Sequence, residues 1–356
     1  MVEYLYKNRF PTTRYQGSKK RYVEKIFSLI PNLKYDTVLD IFGGTGAMSY
    51  GFKCLGKQVF YNDILKSNYH IGRALIENSS EQITPRQLSI LLKEDNGYDY
   101  SSFISDNFKD IYYYNDENAW LDHIRYKIQK MQSKYPQSMA YFALFQSCLM
   151  KRPYNLFHRK NLNFRNDNWI APVTFGNKTT WKKPFEELFH QFVDAANIAV
   201  FSNGQSNYSL NYDAFNIPEK FDADLIYLDP PYMNIDGLSP NYRSYYHFLD
   251  GLTMTDKQWK RKIDEDTPNK RFMHESDAWL KKTEIKNAFD TIFEKYQDRI
   301  IVLSYRDPGI PSVRQLRSML KKYKSNVSIR HINQQFALAN KIEAPKRNGQ
   351  ILAIGY

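Results

Sequence analysis

Short apolar runs alternate with segments of helical spacing along much of the chain. Buried strands are predicted at 38–42, 58–64, 225–228 and 299–305, and a closing pair of strands at 327–332 and 350–356. Apolar positions with helical spacing lie between them, at 47–55 and 284–296. Strands that alternate with helices predict an α/β fold with a mainly parallel sheet.

One long block breaks this alternation. From residue 72 to residue 199 the pattern is mostly helical, with an apolar helix expected at 140–150 and another at 184–199. We therefore expect two domains. Residues 1–71 and 200–356 form the sheet domain, and residues 72–199 form an inserted, mainly helical lobe. The pattern assigns no role to the charged segment 252–284.

Composition changes this picture mainly through charge. The 356 residues carry a net charge of +12 and 16% aromatic side chains, which favours a polyanionic partner such as nucleic acid. The two cysteines, Cys54 and Cys148, lie far apart and show no metal-ligand spacing, so we expect free thiols in a reducing cytosol and no bound metal. The N-terminus lacks the apolar core of a signal peptide, and the longest apolar stretch is too short to span a bilayer, so we expect a cytoplasmic protein without membrane contact.

The first predicted strand ends in an acid and a glycine-rich turn. Asp40 is followed by Gly43, Gly44 and Gly46, which let the backbone approach a ligand closely at the start of a helix. Asp63, at the end of the second strand, has the spacing at which such a unit meets ribose hydroxyls. Ser49 occupies the place of the last glycine of a dinucleotide motif, so the pattern favours a mononucleoside. A tight strand–helix turn without a ligand is the alternative.

Another strand is predicted at 225–228. Asp229 follows directly at its end, and Pro230, Pro231 and Tyr232 come next. The prolines have no backbone N–H and extend the residues before them, so this edge offers only hydrogen-bond acceptors beside an aromatic ring. An exocyclic amino group of a nucleobase suits such an edge. A strand that simply stops at a Pro-Pro turn is the alternative. Asp213, just upstream, is expected at the end of a further strand and in the same crevice, although a surface acid explains it nearly as well.

These motifs resemble a known family. "DIFGGTG" (40–46) with "LDPPY" (228–232) resembles the class I S-adenosylmethionine-dependent DNA methyltransferases that act on adenine N6, and more narrowly the Dam-like, D12 class. "RYQGSKKRYVEKI" (14–26) is similar to that family's N-terminal cofactor motif, and "APVTFGNKT" (171–179) to a later element. "YNLFHRKN" (154–161) resembles a further element, with Tyr154 in place of phenylalanine and Leu156 in place of glycine.

The resemblance implies a role for each matching residue, with S-adenosylmethionine as cofactor and double-stranded DNA as partner. Asp40, Phe42 and the three glycines would hold the methionine part of the cofactor, Asp63 its ribose and Asp213 its adenine amino group. The remaining cofactor-side positions are Tyr15, Gly17, Ser18, Lys19 and Asp229. The target base would be held by Asp229, Pro230, Pro231 and Tyr232. The fold implied is the class I methyltransferase Rossmann-like mixed sheet with an inserted helical DNA-recognition lobe.

A basic stretch, 151–183, is interleaved with aromatic side chains and suits contact with DNA phosphates. A solvated basic loop is the alternative. The predicted DNA contacts are Lys151, Arg152, Tyr154, Asn155, Arg159, Asn161 and Lys178.

The chemistry expected is methyl transfer to a poor nucleophile, because the N6 lone pair of adenine is delocalised into its ring. Asp229 and the Pro230 carbonyl would each accept one N6–H, and the base would flip out of the duplex against Tyr232. An RNA adenine or a cytosine-N4 DNA methyltransferase on the same sheet is the nearest rival, and Asp at the first position of the motif favours adenine in DNA. A non-catalytic DNA-binding protein is the other alternative. We expect a prokaryotic monomer that belongs to a restriction-modification system, with a cognate restriction endonuclease as a further partner.

Overall fold

A mixed β-sheet forms the centre of the protein. The computed structural model describes residues 2–30, 33–95, 100–166, 178–332 and 349–356. Within these ranges the sheet has seven strands in the order β3-β2-β1-β4-β5-β7-β6. The strands are β1 (Thr37–Asp40), β2 (Gln58–Asn62), β3 (Tyr208–Leu210), β4 (Leu225–Leu228), β5 (Ile300–Asp307), β6 (Val327–Ile332) and β7 (Gly349–Gly355).

All strand pairs from β3 to β5 are parallel, and only β7 runs against its neighbours. The α/β class with a mainly parallel sheet is therefore confirmed. The central strands β1 and β4 pair directly, with Asp40 opposite Tyr227. From β1 the chain builds the sheet to one side through β2 and β3, and it then adds β4 and β5 on the other side. The strand order therefore switches between β1 and β4. Ligands of open α/β sheets bind at the carboxyl ends of the strands at such a point.

Helices cover both faces of the sheet and begin where the sequence gives capping residues. Thr84, Thr255 and Ser312 each accept a hydrogen bond from the third residue of the helix that follows. The α-helices up to residue 130 are α1 (Val2–Arg9), α2 (Val23–Leu29), α3 (Ala47–Cys54), α4 (Lys66–Gly72), α5 (Pro85–Leu92), α6 (Phe103–Asn107) and α7 (Asn115–Lys130), and a π-helical turn, Arg73–Glu77, follows α4 directly. The later helices are α8 (Lys134–Met150), α9 (Lys178–Lys182), α10 (Phe185–Ala199), α11 (Tyr242–Leu252), α12 (Asp256–Lys262), α13 (Ile285–Lys295) and α14 (Val313–Tyr323).

The described part of 72–199 is mainly helical, and it packs closely on the sheet domain. Buried residues of α7, α8 and α10 belong to the same hydrophobic core as Val38 of β1 and Leu225 of β4. The Tyr50 hydroxyl of α3 donates to the Ala199 carbonyl at 2.7 Å, which fixes the end of α10 beside the glycine-turn helix. A second core on the other sheet face packs α13 and α14 against β4 and β5. The division into two domains stays a prediction.

Segment 252–284, which the sequence left without a role, has a defined path. After α12 the chain forms a narrow antiparallel turn, closed by a bridge between Ile263 and Phe272, and then returns to the sheet through a short helical turn at 278–280. In the ranges given above, no helix is both long and apolar enough to cross a membrane.

Candidate active site

A cavity of about 420 Å³ opens at the carboxyl edge of the sheet, beside β1. Because the strands β1 to β4 are parallel, their ends bring together Asp40, Asp63, Asp213 and Asp229, as the sequence predicted. A cavity of this size suits a nucleoside-sized ligand. The further predicted cofactor and target positions that line it are Tyr15, Gly17, Ser18, Lys19, Phe42, Gly43, Gly44, Pro230, Pro231 and Tyr232. Gly46 lies in the same turn and begins α3.

The glycine turn owes its shape to two left-handed residues, Gly44 at φ 53° and Gly46 at φ 74°. The amide of Gly44 donates to Asp63 Oδ2 at 2.9 Å, so the turn is tied to the end of β2. Gly43 is needed for another reason. A Cβ added there would lie 2.1 Å from the ring of Tyr61, whose hydroxyl in turn donates to the Gly44 carbonyl at 2.7 Å.

Asp40 is an almost fully buried carboxylate with one satisfied oxygen. Its Oδ2 accepts a 2.6 Å hydrogen bond from Ser49, the residue that replaces the last glycine of a dinucleotide motif. Its Oδ1 is buried without a hydrogen-bond partner among the described residues. Burial raises the pKa of Asp40 to about 7, and repulsion from Asp229 and Asp63 adds to this effect. Burial also raises the pKa of Asp63 to about 6, against the opposing hydrogen bonds from Leu65 and Gly44.

The N-terminal motif closes one side of the cavity. Tyr15 stacks on Tyr246 of α11 with ring centroids 4.3 Å apart and on Tyr242 at 5.7 Å. The Gln16 amide donates to the Tyr246 hydroxyl at 2.8 Å, and Gly17 turns the chain at φ 84°. This arrangement places Lys19 in the wall of the cavity.

Lys19 and Asp229 form an ion pair at the end of β4. Lys19 Nζ lies 2.6 Å from Asp229 Oδ2, and their side chains are 7% and 16% exposed. Lys19 Nζ also donates to the Gly17 carbonyl at 3.2 Å and lies 4.9 Å from the centroid of the Tyr232 ring. The ion pair fixes the Asp229 carboxylate at the place where the sequence puts the target base.

Sequence reasoning missed the surroundings of the Tyr232 hydroxyl. This hydroxyl donates to Asp229 Oδ1 and lies 3.1 Å from Ser304 Oγ, while Gln350 Nε2 donates to Ser304 Oγ at 2.9 Å. Ser304 and Gln350 lie on β5 and β7, far along the chain from the Asp-Pro-Pro-Tyr motif. No motif marks them, because only the pairing of the two strands brings them under the tyrosine.

Segment 277–280 is the second feature that sequence reasoning missed. Asp277, Trp279 and Leu280 line the cavity beside Asp213. The Trp279 ring packs edge-on against Phe42, with centroids 5.1 Å apart, and stacks on Phe215 at 5.8 Å. The charged segment 252–284 therefore returns to the sheet to complete a wall of the site.

Three of the predicted DNA contacts are buried inside the protein. Lys151 pairs with Glu117 at 2.7 Å, and Arg152 binds the carbonyls of Arg159 and Leu156 as well as Asn161 Oδ1. Lys151, Arg152 and Asn161 are 2%, 1% and 6% exposed. Their side chains hold the loop in shape and are not available to phosphates in this conformation, in contrast to the sequence expectation.

The other predicted DNA contacts lie at the surface. Tyr154, Arg159 and Lys178 are exposed, and Asn155 is half-buried. Tyr154 and Asn155 have positive φ angles of 65° and 55°, whereas Leu156 is extended at φ −139°. The leucine that replaces the family's glycine is therefore unstrained, and the strain falls on the two residues before it. The predicted element at 171–179 lies outside the described residues up to position 177.

The order of the strands, the antiparallel β7 and the nucleoside-sized cavity define a class I methyltransferase fold. Comparison with known families gives a more specific result. The sequence model of the D12 class N6 adenine-specific DNA methyltransferases matches residues 15–303, and the chain belongs to this family. It is thus an enzyme that methylates adenine in DNA, as the resemblance implied.

Individual relatives agree with the family. The chain is 27% identical over 325 residues to the type II methyltransferase M2.HphI of Haemophilus parahaemolyticus, and the match covers 90% of each chain. It is 24% identical over 293 residues to the type II methyltransferase M.NlaIII of Neisseria lactamica, which covers 80% of this chain and 79% of that one. The type II methyltransferase M.FokI of Planomicrobium okeanokoites is 25% identical over 328 residues, 87% of this chain, but the match spans only 47% of M.FokI.

Proposed function

We propose that this protein transfers a methyl group from S-adenosylmethionine to N6 of an adenine flipped out of duplex DNA, at a specific site. The observation that carries the proposal is the position of Asp229 and Pro230 at the end of β4, where they meet the cavity that holds the glycine turn. A target amino group bound at this point would face the donor in the same cavity.

The charges of the cavity suit S-adenosylmethionine better than a dinucleotide. This cofactor carries a sulfonium and an ammonium group, and the carboxylates of Asp40, Asp63 and Asp213 surround the cavity. The buried Oδ1 of Asp40, which has no partner among the described residues, is an acceptor suited to the ammonium group. A pyrophosphate would be repelled by the same carboxylates. When bound, the cofactor supplies an electrophilic methyl group, and the chain's own residues orient its acceptor.

Asp229 acts on the amino group of the target base. Its carboxylate and the Pro230 carbonyl accept the two N6–H groups, which directs the nitrogen lone pair out of the plane of the base. The carboxylate also stabilises the positive charge that develops on N6 during transfer. Lys19 and the Tyr232 hydroxyl each hold one oxygen of Asp229, so the acceptor is fixed before the base arrives.

The net charge of +12 and the exposed Arg159 and Lys178 support binding to the DNA backbone. Arg152 and Asn161 support that binding indirectly, because the Arg152 side chain ties the Arg159 carbonyl to Asn161 and so shapes the loop that carries Arg159. The relatives are named as type II methyltransferases, so we place this enzyme in a restriction-modification system with a cognate endonuclease. We further propose that it works in the cytoplasm, as a monomer.

The test is the substitution Asp229→Ala. We expect loss of methyl transfer to DNA while calorimetry still detects S-adenosylmethionine binding, because the carboxylate acts on the target base. Wild-type product should contain N6-methyladenine after digestion and mass spectrometry. Methyl transfer by Asp229→Ala within tenfold of wild type would refute the role of Asp229, and N4-methylcytosine as the product would refute the proposed target.

A further inference from the structure

We propose that Asp277 is a second carboxylate that recognises the purine amino group of the cofactor, opposite Asp213. The inference rests on the proposed use of S-adenosylmethionine. None of the motifs that carry the family resemblance includes Asp277, which lies in the charged segment 252–284.

Two copies of one local structure contact each other in the cavity wall through their aromatic rings. Asp213-Ala-Phe215 and Asp277-Ala-Trp279 each form the start of a short helical turn. In both turns Oδ1 of the aspartate accepts the amide of the aromatic residue two positions later, at 3.0 Å for Phe215 and 2.9 Å for Trp279. The two aromatic rings are stacked with an interplanar angle of 5°. The stacking therefore sets the two carboxylates beside one cavity.

Each of these aspartates keeps a second oxygen for a ligand. Oδ1 is used by the turn in both cases, and Oδ2 accepts no hydrogen bond from any residue in the described ranges. Burial raises the pKa of Asp277, and the nearby charge of Asp213 adds to the rise, while Arg243 opposes it. The charge of Asp213 repels that of Asp277, and a ligand that donates a hydrogen bond to each carboxylate offsets this repulsion.

The amino group of adenine matches this arrangement, because it carries two hydrogens in the plane of the ring. The edge-on contact of Trp279 with Phe42 joins the pair of turns to the glycine-turn side of the cavity. The family assigns the amino group to the position of Asp213, and Asp277 supplies the acceptor for its second hydrogen. A 6-oxo purine offers a lone pair at the same place and is rejected by both carboxylates.

The experiment compares two ligands on variants that keep the turn. S-adenosylhomocysteine and its 6-oxo counterpart, S-inosylhomocysteine, are titrated calorimetrically into wild type, Asp277→Ser and Asp277→Asn. Serine and asparagine both cap helical turns as aspartate does, so Trp279 stays in place. Asp213→Asn serves as the matched variant in the other turn.

We expect Asp277→Ser to weaken S-adenosylhomocysteine binding about 10- to 100-fold, the usual effect of a lost hydrogen bond to a charged group. The same variant should bind the 6-oxo ligand more tightly than wild type does, because one of the two carboxylates that repel O6 is removed. Asp277→Asn should shift the preference toward the 6-oxo ligand by about tenfold or more, because its amide can donate to O6. Equal losses for both ligands, or unchanged affinity for both, would overturn the inference. Wild type that binds neither ligand would instead overturn the proposed cofactor.

Discussion

Replacement of Asp40 by asparagine should make the protein more stable and less able to bind its cofactor. Asp40 is 1% exposed, and its carboxylate has a hydrogen bond from Ser49 at Oδ2 and no described partner at Oδ1. Asparagine has the same shape, and its carbonyl can still accept the Ser49 hydroxyl. The substitution therefore removes a buried charge with little change in packing.

The expected gain follows from the pKa of Asp40. Burial raises this pKa from 3.8 to about 7, a difference of about three pH units. At about 1.4 kcal/mol per pH unit, the ionised carboxylate destabilises the folded state by roughly 4 kcal/mol above pH 7. The asparagine NH₂ group replaces Oδ1 in a buried position without a partner, which costs about 1–3 kcal/mol. The net gain in unfolding free energy at pH 8 is then about 1–3 kcal/mol.

The stability gain of Asp40→Asn over wild type increases as pH rises. The folded protein keeps the proton of Asp40 between about pH 4 and pH 7, whereas the unfolded chain releases it. Wild type therefore loses stability as pH rises through this window, and Asp40→Asn does not. The advantage of the variant should be present at pH 8 and should disappear near pH 5.

Urea unfolding of both proteins at pH 5 and pH 8 measures this difference. Ser49→Ala is the matched control, and its effect on the free energy of unfolding should be opposite to that of Asp40→Asn. It removes the hydrogen bond to the ionised carboxylate and should destabilise the protein by about 1.5–3 kcal/mol at pH 8. Calorimetry with S-adenosylmethionine should show about tenfold weaker binding for Asp40→Asn, because the acceptor for the ammonium group loses its charge. An Asp40→Asn variant that gains no stability between pH 5 and pH 8 relative to wild type would refute the reasoning.

Two further predictions concern the glycine turn and the predicted DNA-binding loop, residues 151–161. Gly44→Val should weaken S-adenosylmethionine binding in calorimetry, because a β-branched residue at φ 53° distorts the turn, whereas Gly56→Val, with φ 78° and open space around it, should leave binding unchanged. Equal affinities for wild type and Gly44→Val would show that the turn is only structural. Arg159→Ala should weaken binding to cognate and scrambled duplexes alike and lower the salt slope by about one, whereas Arg317→Ala on the exposed side of α14 should not. A loss confined to the cognate duplex would instead assign Arg159 to a base edge.

The local features of the site could be predicted because each depends on a short stretch of chain. Strand periodicity gave β1 and β4, and glycine at 44 and 46 marked a turn that needs positive φ. The four strand-end aspartates followed from one further rule, since the carboxyl ends of parallel strands meet at one edge. The family resemblance then supplied their chemistry.

Burial decides which basic side chains of the loop 151–161 are free to contact DNA. Lys151 and Arg152 have the composition of a phosphate-binding stretch, yet Glu117 and the carbonyls of the loop itself bind their side chains in the interior. A sequence shows that a residue is cationic but not which partner neutralises it, because Glu117 comes from α7, a separate helix. Arg159, in the same stretch, is exposed, and this too is decided by the fold and not by residue type.

The sequence by itself determined the strands, the glycine turn and the carboxylate at the end of β4. Only the tertiary structure decided which distant residues complete the site. Ser304 and Gln350 reach the Tyr232 hydroxyl because β5 pairs with β7. Asp277 lines the same cavity as Asp213, beside the stacked rings of Phe215 and Trp279. Contacts between segments far apart in the chain leave no periodicity or spacing in the sequence, since they arise from packing of complete elements against one another.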